Sequence, residues 1–123
     1  MTITHDNAVE YETSEGRGTR WVCPNCGRHG PYTGNRFTTQ VDYLNTRHVF
    51  AHTRPTIEHV CGVGGNVTVW VEVDHLGWRI SQVPVTDRWM LEATVDRSPI
   101  AILGMHPTLR AAGAAIGVEL GSA

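Results

Sequence analysis

The sequence contains no lysine, and all ten of its basic residues are arginine. The planar guanidinium group of arginine suits bidentate contacts with phosphates or carboxylates. A lack of lysine beside abundant alanine, glycine and valine is also typical of a GC-rich genome. This composition suggests an actinobacterial or phage origin.

Long apolar runs are also missing from the chain. No stretch reaches the ~18 apolar residues of a membrane span, and the polar start at Thr2–Asp6 is not that of a signal peptide. A hydrophobic content of 41% and a charged content of 18% are those of a globular protein. We therefore expect a cytoplasmic protein with no membrane partner, and 123 residues fit one compact domain.

Cysteine is scarce, and its count of three is odd, so a framework made only of disulfides would leave one thiol over. In a cytoplasmic chain, clustered cysteine and histidine indicate a metal site before a disulfide. The three cysteines and one histidine fall in two short motifs, Cys23-Pro24-Asn25-Cys26-Gly27 and His59-Val60-Cys61-Gly62.

Charge is distributed unevenly along the chain. Residues 1–16 carry four acidic residues and no arginine, whereas residues 17–59 carry six arginines against two acids. Basic surfaces of this kind attract the phosphates of nucleic acids. The candidate nucleic-acid contacts are Arg28, Arg36, Arg47 and Arg54.

The second half of the chain has clear strand patterns. Apolar and polar residues alternate over Val67–Val73 and again over Trp89–Val95. Each of these segments is followed by a turn and a returning strand, Trp78–Val83 and Ile100–Leu103. A helix over Pro107–Leu120 has an apolar stripe that would pack on the sheet.

The first half is less regular. Residues 1–19 are polar and acidic, which predicts a flexible tail. Alternation over Arg36–Tyr43 favours a strand, with a second strand over His48–Thr53. The alternative is a short helix that places Val41, Leu44 and His48 on one face. Together these patterns predict an α+β, mostly β fold, with a zinc-binding module over 20–64 and a hairpin, hairpin, helix unit over 65–123.

The motif at Cys23–Gly27 resembles the first knuckle of zinc-ribbon proteins, in which a Cys-Pro-x-Cys-Gly turn wraps two thiolates around zinc. Gly27 can adopt the positive φ that such a turn needs. The motif at His59–Gly62 is a variant of the second knuckle. The resemblance implies a structural Zn²⁺ ion held by Cys23, Cys26, His59 and Cys61.

Two other histidines are rival ligands. His48 and His52, with the two cysteines of the first motif, would form a Cys-x₂-Cys, His-x₃-His set like that of a Cys₂His₂ finger, with 21 residues between the pairs. A catalytic site would instead need an open coordination position and a nearby base. The deaminase signature His-x-Glu followed by Pro-Cys-x-x-Cys is absent, so we expect a protein that is not an enzyme.

Residues 88–112 are similar in rhythm to AP2-like and integrase-arm DNA-binding domains, where a strand with tryptophan precedes an alanine-rich helix. The resemblance implies nucleic-acid binding. Trp70 alternates away from the valines of its strand and could provide a binding surface. The sequence therefore predicts a small non-enzymatic zinc protein that contacts nucleic acid or its machinery. The alternative is a phage- or actinobacteria-type accessory factor that binds a protein partner through its sheet or zinc loops.

Overall fold

The computed structural model describes residues 9–51 and 54–121. Within these ranges the chain forms seven strands and two α-helices, and the predicted α+β, mostly β fold with a C-terminal helix packed on the sheet is confirmed. In chain order the elements are β1 Glu10–Ser14, β2 Gly18–Val22, α1 Arg36–Thr46, β3 Thr56–Cys61, β4 Val67–Val73, β5 Leu76–Val83, β6 Arg88–Val95, β7 Ser98–His106 and α2 Leu109–Ala115.

The main sheet is an antiparallel meander in the order β3-β4-β5-β6-β7. Both predicted hairpins are present, as β4–β5 and β6–β7. The alternation in β4 reflects burial of one face of the strand. Val69, Val71 and Val73 are buried, whereas Trp70 and Glu72 lie half-buried on the opposite face. One face of the sheet therefore forms the core, where Val71 lies opposite Trp78 and Ile80 opposite Leu91.

The C-terminal helix covers part of this core face. α2 is shorter than the predicted Pro107–Leu120 segment. Its N-terminus is capped by Thr108, whose Oγ1 accepts a hydrogen bond from the backbone N–H of Ala111 at 3.0 Å. Leu109 and Ala112 are buried. Among the described residues, neither α-helix is long and apolar enough to cross a membrane.

The prediction of a strand over Arg36–Tyr43 is wrong, because these residues belong to α1. Asn35 caps the helix by accepting a hydrogen bond from the backbone N–H of Thr38 at 2.8 Å. The buried positions follow a helical period rather than the alternation in the sequence: they are Thr39, Gln40, Tyr43 and Leu44. The start of the second predicted strand, His48–Phe50, is a 3₁₀ turn, and residues 52 and 53 lie outside the described ranges.

The flexible tail predicted over residues 1–19 is also corrected, as far as the structure describes it. Residues 10–19 form β1 and the start of β2, an antiparallel hairpin in which Glu12 lies opposite Arg20. Residues 1–8 lie outside the described ranges. The boundary drawn between residues 64 and 65 divides the main sheet, since β3 pairs with β4 along its whole length.

A candidate metal centre

Two cysteines and one histidine meet beside the β1–β2 hairpin. The ligand atoms of Cys23, Cys26 and His48 all lie within 4.8 Å of one another. Cys26 Sγ is 3.3 Å from His48 Nε2. A tetrahedral zinc ion bonded to sulfur at about 2.3 Å and to nitrogen at about 2.0 Å holds two such ligands about 3.5 Å apart. The donor set and its spacing therefore fit a metal ion, and thiolate with imidazole is a combination that zinc accepts.

The cysteine turn holds its two thiols through its backbone. The N–H of Cys23 donates to the carbonyl of Arg28 at 2.7 Å, and the N–H of Gly27 donates to the carbonyl of Cys23 at 2.9 Å. Gly27 has the positive φ of 77° that its place in the motif predicts. Cys23 is buried and Cys26 is exposed. A metal ion bound here would lie at the boundary between core and solvent.

His48 reaches this turn because α1 ends abruptly before it. Arg47 adopts the left-handed conformation, with φ of 61°, and its N–H donates to the carbonyl of Leu44. The N–H of His48 then donates to Thr46 Oγ1 at 3.1 Å. The chain therefore turns sharply and directs the His48 side chain back toward the cysteines.

Aromatic packing fixes the orientation of the imidazole. The His48 ring stacks on Trp21, with centroids 5.8 Å apart and an interplanar angle of 27°. Tyr43 packs against both rings, at 4.8 Å from Trp21 and 6.4 Å from His48. Trp21 is held in turn by Asp42, whose Oδ2 accepts a hydrogen bond from its indole N–H at 2.9 Å. The metal centre is thus built on the packing between β2 and α1.

The structure brings together only two of the four ligands predicted from the sequence. Cys23 and Cys26 belong to the group, whereas His59 and Cys61 lie exposed on β3 and are not part of it. The third member is His48, from the rival ligand set. A group of two cysteines and this histidine is not the two-knuckle pattern of a zinc ribbon. The prediction for His52 falls outside the described residues.

The sequence favours His59 over His48 as a ligand because the 21 residues between Cys26 and His48 exceed the ~12 of a Cys₂His₂ finger. The signal that could have identified His48 is the alternative of a short helix with Val41, Leu44 and His48 on one face. In the structure α1 ends at Thr46, and His48 follows in a 3₁₀ turn with its Nε2 3.3 Å from Cys26 Sγ.

The buried tyrosine next to the ligands is electrostatically coupled to them. Burial raises the pKa of Tyr43 well above its usual value near 10, and negative charge on Cys23, Tyr11 and Cys26 raises this pKa further. Tyr43 therefore remains neutral in the folded protein at pH values where an exposed tyrosine ionises.

Tyr43 is expected to make the protein less stable in alkaline solution. Below about pH 10, the pKa of an unfolded tyrosine, Tyr43 is neutral in both states and the full stability is present. Above that pH the unfolded chain loses the Tyr43 proton before the folded chain does, so the free energy of unfolding falls by up to about 1.4 kcal/mol per pH unit. Urea unfolding from pH 8.5 to 11 should show a smaller decline for Y43F than for the natural protein. An equal decline in both would show that Tyr43 ionises as easily folded as unfolded.

The four arginines predicted to contact nucleic acid occupy different environments. Arg28 and Arg54 are exposed. The guanidinium of Arg36 stacks 4.1 Å from the ring centroid of Tyr11. Arg47 donates a hydrogen bond to the carbonyl of Ala115 at 2.6 Å, which joins the end of α1 to the end of α2.

Comparison of the chain with protein-family models, with curated proteins and with solved structures gave no match. Function therefore has to be inferred from the chemistry of the site and its surroundings.

Proposed function

We propose that the protein is a small, non-enzymatic zinc-binding protein whose metal centre supports a basic surface that contacts nucleic acid. The observation that carries the proposal is the convergence of Cys23, Cys26 and His48 within 4.8 Å. In this proposal the ion is Zn²⁺ and its role is structural.

The burial of two of the ligands supports a structural role: His48 is only 8% exposed and Cys23 only 2%, whereas Cys26 is exposed. The group supplies three of the four ligands that a structural zinc site needs. The ion would connect the cysteine turn after β2 to the end of α1, beside the buried Trp21 and Tyr43. Structural zinc sites contribute their binding free energy directly to folding.

Arginines of the β1–β2 hairpin and of the segment that follows it support the nucleic-acid part of the proposal. We define the arginine face as Arg17, Arg20, Arg28 and Tyr32, which are exposed or half-buried. The guanidinium of Arg20 lies 4.8 Å from the ring centroid of Tyr32, and that of Arg17 lies 5.9 Å from it. Guanidinium groups neutralise phosphates. Arg47 is not included, because it is engaged within the fold.

Glu12 limits the charge of this face. It forms an ion pair with Arg20 at 2.7 Å and accepts a hydrogen bond from the Tyr32 hydroxyl at 2.9 Å. These contacts lower the pKa of Glu12, the hydrogen bond from Tyr32 most of all. We therefore assign most of the phosphate contact to Arg17 and Arg28, which are exposed.

The alternative, a protein partner bound through the sheet, is less well supported. It requires an apolar patch near Trp70. The described contacts of that ring are charged instead: the guanidinium of Arg97 lies 4.6 Å from its centroid and that of Arg79 lies 5.7 Å from it. Arg97 is itself paired with Glu58 and Glu72.

The nucleic-acid proposal predicts binding that weakens with salt and depends on Arg28. Titration of the zinc-loaded protein into a labelled single-stranded oligonucleotide, between about 50 and 200 mM salt, should show a steep loss of affinity. The R28A variant should weaken binding to all sequences and reduce the slope of log K against log salt by about one.

The matched control is R110A, which removes an exposed arginine of α2 that is not part of the arginine face, and should leave binding unchanged. Equal binding by R28A and R110A would overturn the nucleic-acid part of the proposal. Zinc content measured on the same samples tests the metal part separately.

A further inference from the structure

The two predicted ligands that lie outside the first metal centre share one face of an edge strand. β3 is the first strand of the sheet and pairs only with β4 among the described strands. His59 and Cys61 are two residues apart, so their side chains project from the same face. They lie opposite Val69 and Val67 of β4, yet both are exposed, as are all six residues of β3.

Two exposed zinc ligands on one strand are half of a tetrahedral set. Structural zinc sites are almost always four-coordinate, and a Cys₂His₂ set is common among them. Of the described residues, none joins His59 and Cys61 in a group of three or more ligands. A second copy of the chain would supply the same two ligands, which would complete the set.

The outer edge of β3 is suited to pairing with another strand. Edge strands are usually protected by charge, proline or bulges. β3 pairs with β4 in an unbroken register, and its one acidic residue, Glu58, is paired with Arg97 at 2.6 Å. The opposite edge, β7, is interrupted by two register shifts against β6. β3 is therefore the more regular of the two edges.

The spacing of the two ligands selects one register. Two identical strands that meet across a two-fold axis pair antiparallel, and the contact is the same from both sides. If Val60 lies opposite Val60 of the second copy, then His59 of each copy lies opposite Cys61 of the other. Directly opposed side chains have Cβ atoms about 4.5–5.5 Å apart. All four ligands then lie together on one face of the joined sheet.

We propose that β3 pairs with β3 of a second copy and that the two chains share a zinc ion held by His59 and Cys61 of each. Val60 is 39% exposed in the single chain, and it meets its counterpart on the other face of the joined sheet. The dimer therefore needs both the metal and the apolar contact at the two-fold axis.

The proposal is tested by molecular mass and zinc content together. At zinc saturation we expect a dimer, measured by sedimentation equilibrium, with about 1.5 zinc ions per chain: one from the first centre and half of a shared ion. A chelator should convert the dimer to monomer. The C61S and H59A variants should be monomers with about one zinc ion per chain, because they keep Cys23, Cys26 and His48.

A third variant separates the metal from the strand contact. V60D keeps all the ligands but opposes two carboxylates at the two-fold axis, and should be monomeric. Its matched control is I102D on the opposite edge strand, where Ile102 is 69% exposed, and this variant should remain a dimer. Circular dichroism establishes that each variant is folded.

Two results would overturn the shared site. One is a monomer with about one zinc ion per chain at zinc saturation. The other is a dimer that persists in both C61S and H59A. Failure of the first metal centre has a different signature, because C26S and H48A would then bind as much zinc as the natural chain.

Discussion

Replacing His48 with alanine should release the zinc ion proposed for the first metal centre and lower the free energy of unfolding by at least about 3 kcal/mol. Apparent binding energies of structural zinc in model fingers are about 10–16 kcal/mol, as large as the net stability of a typical domain. The substitution also removes a ring that stacks on Trp21 in the core. Both effects destabilise the junction between β2 and α1.

The metal contribution can be separated from the packing contribution. Urea unfolding should be measured with and without a chelator, with zinc release followed by a colorimetric indicator. With C61S as the background, in which the proposed shared ion is absent, chelation should destabilise the chain that keeps His48 strongly and the chain that carries H48A little. The matched control is H75A, since His75 lies in the β4–β5 turn and belongs to no ligand group among the described residues. An H48A variant that retains the zinc of the first centre would refute the ligand assignment.

The sheet could be predicted from the sequence because its signal is local. In β4, valines at every second position face the core, and polar residues or Trp70 occupy the alternate positions. Asp74 and His75 form the tight turn to β5, with Asp74 at a positive φ of 57°. Each hairpin can therefore be predicted from its own residues, because the alternating pattern and the turn lie within about twenty residues.

α1 was missed because the same residues carry two conflicting patterns. Phe37, Thr39, Val41 and Tyr43 alternate as in a strand, but Phe37 is 61% exposed. The buried Thr39 bonds through Oγ1 to the carbonyl of Thr19, 20 residues away. A contact between α1 and β2 thus decides the burial of a polar residue, and this contact is not visible in the local sequence.

The β1–β2 hairpin was missed for a related reason. Its outward face is stabilised by the ion pair between Glu12 and Arg20, not by an apolar stripe. Gly18 has a positive φ of 106°, and a Cβ at this position would lie 2.0 Å from the carbonyl oxygen of Thr33. The hairpin therefore depends on a close approach to the loop before α1. Composition alone describes the segment as a polar tail.

The members of the candidate metal centre also differ in how far the local sequence indicates them. Cys23 and Cys26 lie in one turn, so their spacing alone indicates a pair of ligands. His48 lies 22 residues beyond Cys26 along the chain and joins the two cysteines through the fold, where its ring stacks on Trp21. The exposed motif on β3 resembles a partner knuckle in sequence, yet β3 belongs to the main sheet.

Gly30 is expected to tolerate substitution poorly, although it is not a ligand. A Cβ at this residue would lie 2.1 Å from Trp21 Nε1 and 2.8 Å from Asp42 Oδ2, the two atoms joined by the indole hydrogen bond. The G30A variant must therefore displace Trp21, break this hydrogen bond and disturb the stack that orients His48. Overpacking of this kind costs about 1–3 kcal/mol, and loss of the buried hydrogen bond adds about 1 kcal/mol or more.

The matched substitution is G34A in the same loop, because a Cβ at Gly34 meets nothing within 4 Å and its φ is not in the left-handed region. G34A should leave both stability and zinc affinity close to those of the natural protein. G30A should lower both, since the same tryptophan supports the core and the imidazole. If G30A lost stability but bound zinc with unchanged affinity, Trp21 would pack in the core without orienting His48. Competition with a chromophoric chelator, measured on both variants below their unfolding transitions, distinguishes these outcomes.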